Sequence, residues 1–459
     1  MSASTIIHKW ENFHAQVFSD FILELNTNNV KYFILRNFEG LPQFNLSKDI
    51  DIIIKPGSYK KALKLLIKTF KAHNLVYTYD MHFERAHCWF AMDVERDFFI
   101  HIDLIEGYAN KGFEIIDFST LYSNTIEYKN FRVLNSEFDA LMLILYKLIG
   151  CKELKPKYQE KILSIYQQTP QKITTLLTRY LGIRLSKRIT TNIECNDFYS
   201  LISLSKEIAS TAKRYSFSKR PITTIFNIFL FLIEKFYRIV ICPPKFKKFL
   251  AVEAPDGTGK TTFIEQLQIK IAETFVCELN KSQISHFRPE ILPNLGAVGE
   301  KAKVMKQDKD FTNPHRAKPV GKISSFIRMT YYWLDYVIGM PLILRKNAQY
   351  DKFTIFDRYI YDFLVDPRRS RINLPYWLRK GFTKLVKQPK IVFVLDAPTE
   401  VIYKRKQELT PEEISRQLVE FRKLSSLGKR YYRLDASKKP EEIANDAIKI
   451  ILEKFTNKL

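Results

Sequence analysis

Residues 249–262, Phe-Leu-Ala-Val-Glu-Ala-Pro-Asp-Gly-Thr-Gly-Lys-Thr-Thr, constrain this chain more than any other stretch. A short apolar strand, Phe249 to Val252, runs into a loop containing Gly257 and Gly259, and a helix opens after Lys260 with Phe263, Ile264 and Leu267 on one face. Strand, glycine loop and helix in that order form a phosphate cradle. The glycines let successive backbone N–H groups turn toward phosphate oxygens, and the helix N-terminus adds about half a unit of positive charge. The cradle residues are Asp256, Gly257, Thr258, Gly259, Lys260, Thr261 and Thr262. Lys260 suits the β and γ phosphates of a bound nucleotide, and the Thr261 hydroxyl suits Mg²⁺. The usual pattern begins with a glycine where this chain has Ala254. An ordinary glycine-rich turn is the alternative; the pattern points instead to a nucleotide-dependent phosphotransferase or NTPase.

Two further apolar strands follow, Phe353 to Phe356 ending in Asp357-Arg358-Tyr359 and Ile391 to Leu395 ending at Asp396. Parallel α/β sheets bind ligands at the carboxyl ends of their strands, so both carboxylates are expected near the phosphates. Asp357 suits Mg²⁺ and its waters, and Arg358 suits bidentate contact with an acceptor phosphate. Val401 to Gln407 is a basic helix end, and Thr410-Pro411-Glu412-Glu413 is a helix start with Thr at the cap and Glu three residues on. A basic segment between two short helices fits a lid closing positive charge onto a transferring phosphoryl group. A solvated helix face is the alternative for Lys404 to Lys406.

Together these segments resemble the thymidylate kinase family of nucleoside monophosphate kinases, over roughly 249 to 455. The resemblance rests on Glu253 to Thr262, on Asp357-Arg358-Tyr359, on Val394-Leu395-Asp396, and on Leu434-Asp435-Ala436 followed by a helix. It implies a parallel-sheet P-loop kinase using ATP and Mg²⁺, with Asp256 close to the acceptor sugar and Arg358 on the acceptor phosphate. With no arginine in the P-loop, it also implies a catalytic arginine in the lid, Arg405 first and Arg416 second. Three departures leave the acceptor open. Ser325 to Trp333 lacks the small-residue run expected before Arg328, and residues 281–320 are Lys-rich. Asp362, Asp366, Arg368, Arg369 and Arg371 form a cluster foreign to a housekeeping thymidylate kinase.

At 459 residues the chain has room for two or three domains. Lys48 to Ile54 is a strand pattern that puts Asp49 and Asp51 on one face, and Phe99 to Leu104 brings Asp103 on another strand. Two carboxylates two apart on a strand, with a third from a neighbour, suit a two-metal site for nucleotidyl transfer. This resembles the polymerase-β-type nucleotidyltransferase superfamily, over roughly 28 to 150. Leu35-Arg36-Asn37 stands where that family has Gly-Gly or Gly-Ser, and this departure makes an inactive relic an alternative. A half-buried strand with solvent-facing aspartates is another.

From 138 to 215 the pattern is helical, with Phe138, Leu141, Leu145, Leu148 and Ile149 on one face. Residues 206–248 hold ten Lys or Arg against two Glu, around an apolar helix bracketed by Pro221 and Pro243-Pro244. On a helical wheel Phe226, Phe229, Leu230, Ile233 and Phe236 oppose Thr224, Asn227, Glu234 and Lys235. The helix is expected to pack between domains, with shallow docking on an anionic membrane as the alternative. Its longest uninterrupted apolar run, Ile228 to Ile233, is far below the roughly 20 residues of a span.

The expected architecture is α/β throughout: a nucleotidyltransferase-like α+β domain (1–137), a helical subdomain (138–215), a basic linker helix (216–248) and the P-loop domain (249–459). Lys plus Arg of 73 against Asp plus Glu of 49 gives +24, which favours phosphorylated substrates or anionic glycolipids. No nucleic-acid-binding motif occurs, so nucleic acid is not an expected partner. A second copy of the chain is a further candidate. Five dispersed cysteines and no apolar leader core fit a reducing cytoplasm. The leading expectation is an ATP-dependent phosphotransferase joined to a nucleotidyltransferase-like domain, its acceptor a nucleoside monophosphate or a sugar phosphate of surface-polysaccharide assembly. The alternative is a nucleotide-driven switch acting on the N-terminal domain.

Overall fold

The computed structural model describes residues 10–45, 47–93, 95–237, 248–275, 279–293, 321–349, 352–426 and 428–455. The chain divides after Tyr237 into two compact units.

The N-terminal unit is built on a seven-stranded mixed sheet. Its strands are β1 (Tyr32–Ile34), β2 (Ile50–Ile54), β3 (Val76–Phe83), β4 (Ala86–Asp93), β5 (Phe98–Glu106), β6 (Thr125–Tyr128) and β7 (Phe131–Leu134). They lie in the order β3-β4-β5-β2-β1-β7-β6. Two helices, α1 (Asn12–Thr27) and α2 (Tyr59–Ala72), cover one face. Phe18, Phe21 and Ile22 of α1 and Leu66 and Phe70 of α2 bury there against Ile50, Ile52 and Ile54. The other face, which carries Ile53, is covered by the helical residues Phe138 to Ile149. All five residues of β2 are therefore buried. This corrects the picture of a strand with one wet face.

A short helix, α3 (Phe118–Ser123), precedes β6, and α4 (Ser136–Met142) begins the helical part with Asn135 accepting from Phe138 N–H at 3.0 Å. The helix then widens into a π-helical stretch, Leu143–Cys151. Leu145, Leu148 and Ile149 are buried as their spacing predicts, although the turn carrying them is wider than the α-helical one. Five helices follow in succession: α5 (Pro156–Gln168), α6 (Pro170–Leu181), α7 (Ile183–Glu194), α8 (Phe198–Ser203) and α9 (Ser205–Lys219). The unit closes with α10 (Pro221–Phe236).

The C-terminal unit has an all-parallel sheet in the order β12-β11-β8-β10-β9. The strands are β8 (Phe249–Glu253), β9 (Ser282–His286), β10 (Phe353–Asp357), β11 (Ile391–Asp396) and β12 (Tyr431–Asp435). β8 is central and wholly buried. The strands that follow it lie on both its sides, so a crevice opens at its carboxyl end, where open α/β sheets bind ligands. Around the sheet run α11 (Lys260–Thr274), α12 (Lys322–Gln349), α13 (Asp362–Val365), α14 (Tyr376–Lys384), α15 (Thr399–Arg405), α16 (Pro411–Ser425) and α17 (Pro440–Phe455). Thr410 caps α16 by accepting from Glu413 N–H at 3.3 Å.

One buried charge fixes the chain after β9. Asp335 of α12 is fully buried and accepts from Arg288 at 3.0 Å and from the N–H groups of Glu290, Ile291 and Leu292 at 3.1, 2.9 and 2.8 Å. Four donors lose their acceptor together in Asp335→Ala, and breaking a buried pair costs about 3–5 kcal/mol. Urea unfolding followed by probes in the C-terminal unit is expected to show a loss of that size. A loss below about 1 kcal/mol would mean that water replaces the carboxylate freely.

Candidate phosphotransfer site and acidic cluster

In the C-terminal unit the chain leaves β8 at Glu253 and turns through the glycine loop. Gly257 and Gly259 take φ of +84° and +94°. A Cβ on Gly257 would stand 3.0 Å from Lys406 Cβ and 3.3 Å from the Ile402 carbonyl, so the end of α15 lies against the loop. Lys260 opens α11 and is buried, its Nζ 3.4 Å from the Ala254 carbonyl and 3.8 Å from Asp256 Oδ1. Burial, aided by the neighbouring Arg358 charge, pushes its ammonium down to about 8. Thr261 and Thr262 are exposed on the first helical turn.

Arg358 follows β10 in a left-handed conformation, φ +68°, and is 1% exposed. Its N–H donates to the Val252 carbonyl at 2.9 Å, tying it to the central strand. Its guanidinium donates to both oxygens of Asp362, at 3.1 and 2.9 Å, and to Asp256 Oδ1 at 2.6 Å. Arg369 donates to the other Asp256 oxygen at 2.6 Å. Burial alone would raise the Asp256 carboxyl, yet Arg358, Lys260 and Arg369 together hold it well below the usual range. Burial and the nearby Asp362 drive Glu253 the other way, well above the usual range. Glu253 is fully buried and accepts from Tyr359 N–H at 2.8 Å.

Asp357 sits beside His286 on β9, its ladder partner, with His286 Nδ1 3.2 Å from Oδ2. Its Oδ1 is buried with no hydrogen-bond partner among the described residues, which leaves an acceptor suited to a metal-bound water. Arg405 donates to the carbonyls of Thr258, at 3.2 Å, and Ala436, at 2.9 Å. Arg416 instead pairs with Glu413 at 2.6 Å and donates to the Val365 carbonyl at 3.1 Å. Asp396 is engaged by Arg422 at 2.8 and 3.0 Å. The structure thus gathers Asp256, Lys260, Arg358 and Asp357, with Arg405 on the loop, while Asp396 is already neutralised.

The sequence did not single out His286 or the environment of Glu253. Ser282–His286 is short and polar outside its one Ile, so its strand character comes from pairing with β10. Arg369 was visible only as one of a cluster. Much of the Lys-rich segment 281–320 lies outside the described residues.

The N-terminal unit holds a separate acidic cluster. The parallel ladder between β2 and β5 sets Asp51 beside Asp103. Asp49 stands just ahead of β2, accepting from Ser47 Oγ at 2.8 Å. Ligand oxygens of Asp49, Asp51 and Asp103 all lie within 4.8 Å of one another, as do ligand atoms of Cys88, His101 and Asp103. Arg36 meets Asp51 at 2.7 Å, and His101 Nε2 meets Asp103 at 2.7 Å. Burial pushes Asp51 up to about 7, with Asp49 and Asp103 adding to it and the Arg36 charge only partly opposing. Lys147, on the π-helical stretch, is within electrostatic reach of Asp51 and Asp49. Lys157, also from the helical part, donates to Asn37 on the loop after β1 at 2.9 Å. The donor set suits a hard divalent cation, with Arg36 as the competing internal charge.

No known family profile matches the chain. Thymidylate kinases from three strains of Prochlorococcus marinus do resemble it: AS9601 is 24% identical over 221 residues, MIT 9312 26% over 222 and MIT 9301 24% over 221. Each alignment covers 46% of this chain and 98% of the relative. The solved thymidylate kinase from Ehrlichia chaffeensis aligns at 16% identity over 44% of this chain and 97% of its own, with a TM-score of 0.30. Nearly half of the chain is therefore similar in sequence to thymidylate kinases.

A cation seated on Asp49, Asp51 and Asp103 would bind only the folded unit. Mn²⁺ or Mg²⁺ at about tenfold its Kd is expected to add about 1.4 kcal/mol, a rise of roughly 3–5 °C in the melting of this unit. The Asp51 carboxyl is raised in the folded state, so its ionisation costs stability as pH climbs from the unfolded value toward 7. The metal-induced rise should accordingly be larger at pH 8 than at pH 5. Asp49→Asn with Asp51→Asn should abolish it; a rise that survives in the double variant would place the cation elsewhere.

Proposed function

We propose that the C-terminal unit transfers the γ-phosphoryl group of ATP to a small phosphorylated acceptor of the nucleoside monophosphate type. We further propose that the N-terminal unit is a nucleotidyltransferase-like domain using the Asp49, Asp51 and Asp103 cluster. The observation that carries the first reading is the pair of guanidiniums, Arg358 and Arg369, anchored on Asp256 beside Lys260. Thymidylate kinase homology over nearly half of the chain supports it.

In this reading the loop N–H groups from Gly257 to Thr262 bind the donor phosphates, and Lys260 holds its proton while contacting the β and γ groups. Thr261 and Asp357 would hold Mg²⁺, which supplies charge neutralisation and orientation. Arg358, held by Asp362 and Asp256, sets a fixed positive charge beside the acceptor phosphate with little ordering cost. Asp256 lies close to the acceptor and keeps both arginines in place. Arg405, resting on the Thr258 carbonyl, stabilises charge on the group in transfer. Arg358 is already engaged by two carboxylates, an observation that favours a second reading as a nucleotide-driven switch. Binding of ATP without turnover of any monophosphate would select that reading.

Steady-state kinetics with a panel of nucleoside and sugar monophosphates tests the proposal. Lys260→Ala is expected to lower kcat by about 10²–10³-fold, as for loss of one stabilising donor, with the fold intact. Near-normal turnover would refute the loop assignment. Arg358→Lys should raise the KM for the acceptor far more than that for ATP, because a point charge does not replace a planar fork; equal effects would move Arg358 out of the acceptor site.

Proton linkage gives an independent check. With Lys260 pushed down to about 8, the free protein loses this charge as pH rises through that value. ATP affinity should then weaken above pH 8, and calorimetry at pH 8.5 should record proton uptake on binding. A pH-independent affinity between 7 and 9.5 would show that Lys260 does not meet the phosphates.

A further inference from the structure

α10 is amphipathic in an inverted sense. Thr224, the one fully buried residue of α10, has its hydroxyl facing the Ser216 carbonyl at 3.5 Å. Glu234, one turn from the other end, accepts from Glu84 N–H at 2.9 Å. Between them the backbone of Ile228 comes so close to Gly112 that a Cβ there would stand 2.6 Å from it. Glu84 completes this seat by accepting from Gly112 N–H at 2.7 Å and from Lys111 N–H at 3.1 Å. Thr224, Asn227, Ile228, Phe231 and Glu234 therefore face the unit, while Lys235 is exposed. The apolar stripe faces away: Phe226 is 58% exposed, Phe229 58%, Leu230 46%, Ile233 48% and Phe236 59%, and Ile222 at the helix start is 83% exposed.

A helix of a globular protein normally buries its apolar stripe, and a contiguous apolar surface of this kind marks an interaction site. The charges around the stripe identify its occupant. Lys219 and Lys235 are exposed at its two ends, and Lys111 and Lys213 lie by its middle, where Gly112 meets Ile228. The one acid within α10, Glu234, is turned inward. Phenylalanines on one side, lysines at both ends and no outward acid on the helix complement a bilayer surface bearing anionic headgroups. A helix of 16 residues is too short to cross a bilayer, and none of the described helices is long and apolar enough to do so.

We infer that α10 lies flat in the headgroup region of an anionic membrane. Its phenylalanines reach the acyl boundary and its flanking lysines pair with lipid phosphates. The site is independent of both acidic and phosphate-binding clusters, so the inference stands whether or not the proposed phosphotransfer does.

The test is co-sedimentation of the full-length protein with vesicles of phosphatidylcholine alone and of phosphatidylcholine with 30% phosphatidylglycerol. Binding is expected to the anionic vesicles only, to fall at least tenfold between 50 and 500 mM salt, and to be lost in Phe226→Asp with Phe229→Asp. A Phe229→Trp variant should show a blue-shifted emission when the anionic vesicles are added. Circular dichroism of the double variant should match the parent, because the replaced side chains face outward. Absence of binding by the folded parent, or equal binding by the double variant, would overturn the inference. So would a dimer in gel filtration that the double substitution splits while vesicle binding is absent, since the stripe would then belong to a second copy.

Discussion

The C-terminal unit is organised around one buried cation. Arg358 is almost wholly removed from water, and a guanidinium in that position is tolerable only with its partners in place. Asp362 supplies two acceptors from one side, and Asp256 supplies one from the glycine loop. The consequences spread outward. Asp256 also binds Arg369, so the segment after α13 is pinned to the loop. Burial, with Asp362 adding to it, drives the Glu253 carboxyl well above the usual range. The left-handed backbone at Arg358 is held by its N–H bond to Val252, which fixes the guanidinium relative to the central strand. A non-glycine residue in that conformation costs of order 1–3 kcal/mol, and the buried pairs offset it.

A comparable constraint acts in the N-terminal unit through strand register. Because β2 and β5 run parallel with Asp51 opposite Asp103, three carboxylates converge on the face that the helical part covers. Arg36 and Lys147 answer that charge from two different segments. Arg36 stands where a glycine turn is expected in the resembled superfamily, and it contacts Asp51 directly. The departure noted in the sequence therefore has a structural counterpart: an internal cation competing for the position a metal would take.

The parts of this architecture readable from sequence are those set by local rules. The order of strand, glycine loop and helix at 249–274 follows from apolar spacing and the backbone freedom of Gly257 and Gly259. The cap at Thr410 and the alternation around Asp49 and Asp51 are equally local. What sequence could not supply depends on tertiary partners. The strand at Ser282–His286 exists because β10 pairs with it, and the π-helical widening at Leu143–Cys151 breaks a period that looks regular. Asp396 ends a strand as Asp357 does, yet Arg422 from a distant helix neutralises it. The facing of α10 is the clearest case, since a helical wheel separates two stripes without stating which one is inside.

In the proposed phosphotransfer Asp256 links the donor loop to the acceptor arginines, and Asp256→Asn tests this most directly. The amide keeps the shape of the side chain and removes the charge that holds Arg358 and Arg369. Calorimetric titration of this variant with ATP, and then with the monophosphate that the parent turns over, separates the two roles. ATP affinity is predicted to stay within a few-fold of the parent, while acceptor affinity falls by a factor of ten or more, about 1.4 kcal/mol. Equal retention of both affinities, or loss of ATP binding alone, would contradict the account.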